Sequence, residues 1–238
     1  MKLRIMSFNT QHCLNCLTGR IDFEAAAGII KALDADIVGL QEIRGPGRDV
    51  NEYADQTGIL SRLTGLHGYF GQAIMFGGVN PYGNALLSRY PIKSAETIMI
   101  PDPEPRKYNG YYETRCVIRA EIDVPGGLTV LVSHFGLNPD EHENAVSTVC
   151  ELINGDKTVL MGDFNMKPGN PLLMPIRDVL SDTAYAFPQG EAGFSFPSWA
   201  PDRKIDYIFA SRDIKITGAE IPACVISDHR PHLADIDI

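Results

Sequence analysis

The 238-residue chain has no uninterrupted apolar run approaching the ~18 residues that a helical membrane span needs. Its first residues, Met1-Lys2-Leu3-Arg4-Ile5, alternate charged and apolar side chains as a half-buried strand does, and lack the continuous apolar core of a secretory signal. A cytoplasmic protein is expected. Cysteine is scarce and odd in number: five cannot all pair within one chain, so reduced thiols are expected. Cys13-Leu14-Asn15-Cys16 has the spacing of a zinc or redox half-site, yet no second Cys/His pair follows at a suitable distance. Cys116, Cys150 and Cys224 stand in apolar settings and read as small core residues. Lysine and arginine form no run, and 21 basic against 30 acidic side chains leave a net charge of −9. Such a chain lacks the broad positive track that neutralises a nucleic-acid backbone. Gly-x-Ser-x-Gly is absent, and the glycine-rich stretch Gly77–Asn84 lacks the Gly-Lys-Ser/Thr ending of a phosphate-binding P-loop. No repeat or low-complexity segment marks a boundary, so one domain over residues 1–238 is expected.

Short, largely apolar stretches are plentiful. Strands are expected near Leu3–Phe8, Ile37–Leu40, Gly68–Ile74, Ala85–Ser88, Ser94–Ile100 and Arg115–Val124, then near Leu128–His134, Thr158–Met161, Ile205–Ala210, Ile214–Ile221 and His232–Ile238. Gly126-Gly127 reads as a hairpin turn. Helical patterns run near Phe23–Leu33, Asn51–Thr64 and Glu141–Asn154, with a shorter one around Pro171–Leu180. Many strands and few helices point to an α/β (α+β) protein of two stacked sheets flanked by helices.

Four polar motifs follow or sit inside these apolar stretches: Leu40-Gln41-Glu42, Gly162-Asp163-Phe164-Asn165, Lys204-Ile205-Asp206-Tyr207-Ile208 and Ser227-Asp228-His229-Arg230-Pro231. Each delivers its side chain to a strand end. Buried carboxylates need partners or a cation, and oxygen ligands with few cysteines suit a hard octahedral ion, Mg2+ or else Mn2+.

Together with Ser7-Phe8-Asn9 and Val132-Ser133-His134, in this order over nearly the whole chain, the motifs resemble the endonuclease/exonuclease/phosphatase superfamily of metal-dependent phosphoesterases. The resemblance implies a four-layer α/β/β/α sandwich of the DNase I type. It implies Glu42, Asn9 and Asp228 at the metal, Asp163 as the group that orients and deprotonates the attacking water, and Asn165 as a donor to the phosphoryl oxygen. His229 would contact the scissile phosphate or act as base, His134 would be a second phosphate contact, and Asp206 would orient an imidazole. Arg115, in Glu113-Thr114-Arg115, matches a further family pattern and would clamp a substrate phosphate; a salt bridge is the plainer reading. Taken singly, Asn9 reads as a turn amide, Glu42 as a surface carboxylate, Asp163 as part of a Gly-Asp turn, and each histidine as a satisfied core residue. His12, His67 and His142 have no motif support. Phe196-Pro197-Ser198-Trp199 resembles a segment of the bacterial members that leads into the Asp-bearing strand.

The expected activity is hydrolysis of a phosphodiester or phosphomonoester by direct attack of activated water. The acidic balance favours a small phosphoester or a lipid headgroup over long DNA, although Arg106-Lys107 and Arg203-Lys204 could hold a phosphate or two. Pro101–Tyr112, with its tyrosines, could form a rim that stacks on a base or ring. A nuclease is the alternative, and a non-catalytic binding sandwich is the alternative of another class.

Overall fold

Several strands of this chain are buried along their whole length, which requires cover on both faces. The computed structural model, which describes residues 1–48, 53–153 and 155–238, supplies that cover in layers. In chain order the first half runs β1 (Lys2–Asn9), β2 (Leu14–Asn15), β3 (Arg20–Ile21), α1 (Phe23–Ala32), β4 (Ile37–Arg44), α2 (Gln56–Thr64), β5 (His67–Phe76), β6 (Asn80–Ser88) and β7 (Ile92–Met99). The second half runs β8 (Cys116–Ile122), β9 (Leu128–His134), α3 (Pro139–Leu152), β10 (Thr158–Asp163), α4 (Met174–Val179), β11 (Leu180–Asp182), β12 (Asp206–Ser211), β13 (Lys215–Glu220) and β14 (His232–Asp237).

Two six-stranded sheets form, ordered β13-β14-β1-β4-β6-β5 and β11-β12-β10-β9-β8-β7. Alternate residues of facing strands meet between them: Leu3, Ile5, Ile37 and Leu86 from the first sheet pack with Ile118, Val130, Val132, Val159, Met161 and Ile208 from the second. The opposite face of the first sheet, with Met6, Phe8, Val38 and Leu40, packs on Ala26, Ala27 and Ile30 of α1 and Leu60 of α2. The outer face of the second packs Leu131, Leu160 and Phe209 on Ala145, Val146 and Val149 of α3 and Ile176 of α4. The result is the four-layer α/β/β/α sandwich of the DNase I type. Phe164 stacks on Phe135 with ring centroids 4.2 Å apart, and on Tyr207 at 5.3 Å. Each such ring contributes roughly 1.5–3 kcal/mol by burial, so the floor beneath the strand ends is rigid.

Some boundaries differ from the sequence expectation. The second helix begins at Gln56, where the Asp55 carboxylate caps it by accepting from the Gly58 N–H; the expected start at Asn51 lies outside the described residues. The third begins two residues early at Pro139, because the Glu141 carboxylate reaches back to the Asn138 N–H at 3.0 Å; its expected end at Asn154 also lies outside the described residues. The Pro171–Leu180 pattern splits into a 3-10 turn, Pro171–Leu173, and α4. The short strands β2, β3 and β11 carry too few residues for a period to show. No helix among the described residues is long and apolar enough to cross a membrane.

Candidate active site

The parity of the strands builds the site. Leu3 and Ile5 of β1 face the space between the sheets, so Asn9, an even number of residues on, ends the same row. Val130 and Val132 lead likewise to His134, Val159 and Met161 to Asp163, and the row of Ala210 and Ile208 runs back to Asp206. The pairing Asp163↔Asp206 and Asp163↔His134 then brings three of these residues side by side. Gly162 makes the approach possible, since a Cβ there would lie 1.9 Å from the Ser133 carbonyl oxygen.

Glu42 reaches the rim by a different route. Ile37 of β4 faces inward, so Gln41 continues that row and Glu42 would by parity turn toward the helices. Between Leu40 and Ile43, however, β4 holds one residue more than β6 does between Ala85 and Gly83. Glu42 takes a left-handed conformation there, with φ of 60°. A bulge of this kind re-aims a side chain, and the left-handed residue costs of order 1–3 kcal/mol.

At the rim the Asn9 Nδ2 group donates to Glu42 Oε1 at 3.0 Å and to Asp163 Oδ2 at 3.1 Å, while its Oδ1 accepts from the Gln11 N–H at 3.1 Å. Asn9 therefore presents its nitrogen, not its oxygen, to the carboxylates, and acts as a brace between them. Asp206 Oδ2 faces His229 Nδ1 at 2.8 Å and accepts from the Ser195 hydroxyl at 2.5 Å. His229 Nε2 and His134 Nε2 both stand 3.6 Å from Asp163 Oδ2. Asn165 does not continue the strand: with φ of 51° it folds back, its N–H donating to Asp163 Oδ1 at 2.9 Å and its Nδ2 lying 3.2 Å from His134 Nε2. Its side chain still reaches the rim. The Ser227 hydroxyl donates to the Asn9 carbonyl at 2.8 Å, which sets Asp228 beside β1. Ser198 holds the same motif from the other side, its N–H donating to the Asp228 carbonyl at 2.7 Å, and the Phe196 ring packs on His229 at 4.7 Å.

The two imidazoles sit in opposite fields. Burial works against charge on His229, but Asp206 and Asp163 outweigh it and raise the ring to about 10. His134 is held well below the ordinary histidine range by burial and then by Arg115. Burial pushes the Asp163 carboxyl above the usual carboxylate range, against the pull of His229 and its donors. Glu42 is raised by burial and by Asp228, against the hydrogen bond from Asn9.

Several placements depart from the sequence expectation. Arg115 turns its Nη1 onto Glu113 at 2.7 Å and His134 Nδ1 at 3.1 Å, with its side chain 11% exposed. The salt bridge forms, and Nη1 is committed within the protein. Lys204 is 3% exposed, its ammonium donating to the Asp206 carbonyl and lying 3.6 Å from the centre of the Tyr207 ring, so it is no surface phosphate contact. His232 is fully buried, with Nδ1 3.3 Å from the Asp206 carbonyl oxygen. Ser195 is absent from the sequence reading because a serine in an aperiodic loop carries no signal. Tyr82 was also missed: burial first, then Glu42, raises its phenol. Its alternation with Asn84 and the inward-facing Leu86 was the available signal. All five cysteines are free.

The layers and rim define a DNase I-like fold carrying a cluster of carboxylate, amide and imidazole groups at one end of the paired sheets. The sequence profile of the Endonuclease/Exonuclease/phosphatase family matches residues 6–229, and the chain belongs to that family, whose members are hydrolases acting on phosphoesters and generally use divalent metals. The protein YbhP of Escherichia coli strain K12 is 24% identical over 257 residues, spanning 99% of this chain and 96% of YbhP. Among solved structures, an endonuclease/exonuclease/phosphatase from Beutenbergia cavernae superposes with a TM-score of 0.78 at 22% identity, covering 100% of this chain and 72% of that one. The Bacteroides thetaiotaomicron mannosyl-6-phosphatase Bt3783 does so at 0.76 and 16%, covering 99% and 100%.

Proposed function

We infer that the chain is a metal-dependent phosphoesterase that cleaves a small phosphodiester or phosphomonoester by direct attack of water on phosphorus. The observation that carries this reading is Asp163: a buried carboxylate flanked by the Asn9 side-chain amide, the Asn165 backbone N–H and two imidazoles, in a family of phosphoester hydrolases. The donor set fits a divalent cation. Glu42 is a partly buried oxygen ligand whose carboxyl is raised by desolvation and further by Asp228, and Oδ1 of the fully buried Asp206 has no hydrogen-bond partner. Asp163, Asp206 and His229 also offer ligand atoms within 4.8 Å of one another. There, however, the hydrogen bond between them already takes up Asp206 Oδ2 and His229 Nδ1, so Glu42 and Asp228 are the better holders. Mg2+, or Mn2+ in its place, suits those oxygens and when bound would act as a Lewis acid on the phosphoryl oxygen. Asn9 fixes Glu42 by its hydrogen bond.

Asp163 orients the attacking water and takes its proton, a role that a carboxyl raised by burial serves near neutral pH. Asn165 and His134 donate to the phosphoryl oxygens. His229, kept as imidazolium by Asp206, attracts the phosphate. The phosphate clamp expected of Arg115 is not part of this reading, because its Nη1 is taken up by Glu113 and His134 and its side chain is only 11% exposed. The internal placement of Arg115 and Lys204, with a net charge of −9, supports a small substrate such as a nucleotide, sugar phosphate or lipid headgroup over a long duplex.

The test is turnover of aryl phosphodiesters, aryl phosphomonoesters, sugar phosphates, nucleotides and plasmid DNA, with Mg2+ or Mn2+ and with chelator. Turnover of small esters that chelation abolishes is expected. Activity surviving full chelation would refute the metal. Salt-sensitive nicking of plasmid with weaker small-ester turnover would replace the substrate class, and no turnover on any ester would favour a binding role.

A further inference from the structure

Arg115 stands outside the reaction just derived, yet it is committed to one of its members. Its Nη1 lies 3.1 Å from His134 Nδ1 and 2.7 Å from Glu113 Oε1, and the Arg115 and Glu113 side chains are only 11% and 9% exposed. A guanidinium has donors and no acceptor, and it does not deprotonate. His134 Nδ1 must therefore accept, which leaves the ring's one proton on Nε2.

The other ring nitrogen poses a competing demand. Asn165 Nδ2 lies 3.2 Å from His134 Nε2 and also donates to the Phe135 carbonyl at 3.1 Å. A proton on Nε2 places two donors face to face there, whereas a proton on Nδ1 does so against Arg115. Magnitudes decide between them. A charge-assisted hydrogen bond is about twice as strong as a neutral one, so forgoing the Arg115 contact is the greater loss. Asn165 keeps its bond to Phe135 in either case. Nε2–H also has a carboxylate to face, Asp163 Oδ2 at 3.6 Å.

We propose that Arg115, oriented by Glu113, is a positioning residue that locks His134 in the Nε2–H tautomer, so that the ring meets the substrate as a neutral donor. The two imidazoles then have distinct fixed roles: His229 faces Asp206 through Nδ1 and carries charge, while His134 faces Arg115 through Nδ1 and carries only a dipole. His134 Nε2–H points to the space beside Asp163 where a phosphoryl oxygen would arrive. The role of His134 as a donor rests on the phosphoesterase reading; the tautomer itself does not.

The experiment separates the two. In metal-free protein labelled with 15N-histidine, long-range 1H–15N correlations between pH 6 and 8 report which nitrogen of His134 bears the proton. Wild type should show a protonated Nε2 and a bare Nδ1. Arg115→Met should lose that single pattern, Arg115→Lys should restore it, and kcat on the best phosphoester should fall about 10–100-fold in Arg115→Met with KM little changed, the range for removing a group that orients another. A protonated Nδ1 in wild type, or an unchanged tautomer in a folded Arg115→Met protein, overturns the lock. The Nε2–H form in a protein without turnover on any ester would support the lock and count against the phosphoesterase reading, while turnover with a protonated Nδ1 would do the reverse.

Discussion

Asp206→Asn isolates the charge that faces His229. In the metal-free protein His229 is raised from 6.5 to about 10, with Asp206 first among the groups that raise it and Asp163 second. The two carboxylates thus outweigh the burial that disfavours charge on the ring, a preference for the imidazolium on the order of several kcal/mol. A single opposite charge within contact distance lowers or raises a pKa by about 1–3, so removing Asp206 should bring the ring to roughly pH 7–9 and forfeit a few kcal/mol, on the order of 1–4. The sign follows from linkage. A folded pKa raised above the unfolded one stabilises fully below the unfolded pKa and loses that stability as pH rises through the folded pKa. The stability gap between wild type and variant should thus be widest at pH 6 and close as the pH approaches 10. Histidine-selected NMR titration in chelator, beside urea unfolding at pH 6, 8 and 10, measures both quantities. An unmoved His229 pKa, or a gap independent of pH, would refute the assignment of Asp206 as the source of the charge.

Other perturbations read out the remaining parts. Asp163→Asn should lower kcat by about 10²–10⁴-fold with an unchanged circular dichroism spectrum, since an isosteric amide cannot take the proton; wild-type kcat would move the role of base elsewhere, His229 first. Glu42→Gln should weaken cation affinity and be partly rescued by raising Mg2+, so a defect that no concentration rescues, with unchanged metal binding, contradicts the ligand role. Lys204, pushed by burial from 10.5 down to about 8 against the pull of Asp182 and Asp206, has a depressed folded pKa. Wild type should therefore gain up to about 3 kcal/mol relative to Lys204→Met as pH rises from 8 toward 10.5; urea midpoints whose difference stays flat over that range would show that the ammonium is not desolvated. Gly162→Ala should destabilise strongly, because its Cβ would sit 1.9 Å from the Ser133 carbonyl oxygen, and a thermal midpoint within a degree of wild type would disprove that packing.

What the sequence disclosed about the fold follows from periodicity. Strands of seven or eight residues such as β1 and β9 show their alternation, and the inward rows of Leu3–Ile5 and Val130–Val132 can be extended by counting to Asn9 and His134. The same counting reaches Asp163 and Asp206. Two- and three-residue strands hold no period, and α2 begins where a cap, not a hydrophobic pattern, dictates. Lys204 is misplaced for another reason: lysine is almost never fully buried unless paired, so only the folded structure shows its ammonium donating to the Asp206 carbonyl.

Glu42 marks where counting stops. Its identity stood out because a carboxylate directly after a buried strand needs a partner, but parity along β4 sends that side chain to the helical layer. The bulge that reverses it is a pairing mismatch between β4 and β6, a relation between residues 40–43 and 83–85 that neither segment shows alone. The left-handed backbone at Glu42 is unfavourable in itself and is held by the strands on both sides. Its compensation lies at the rim, where Asn9, itself braced by Gln11, receives the re-aimed carboxylate. Local preference and parity fail at the same residue, and it is the one that the proposed reading assigns to the metal.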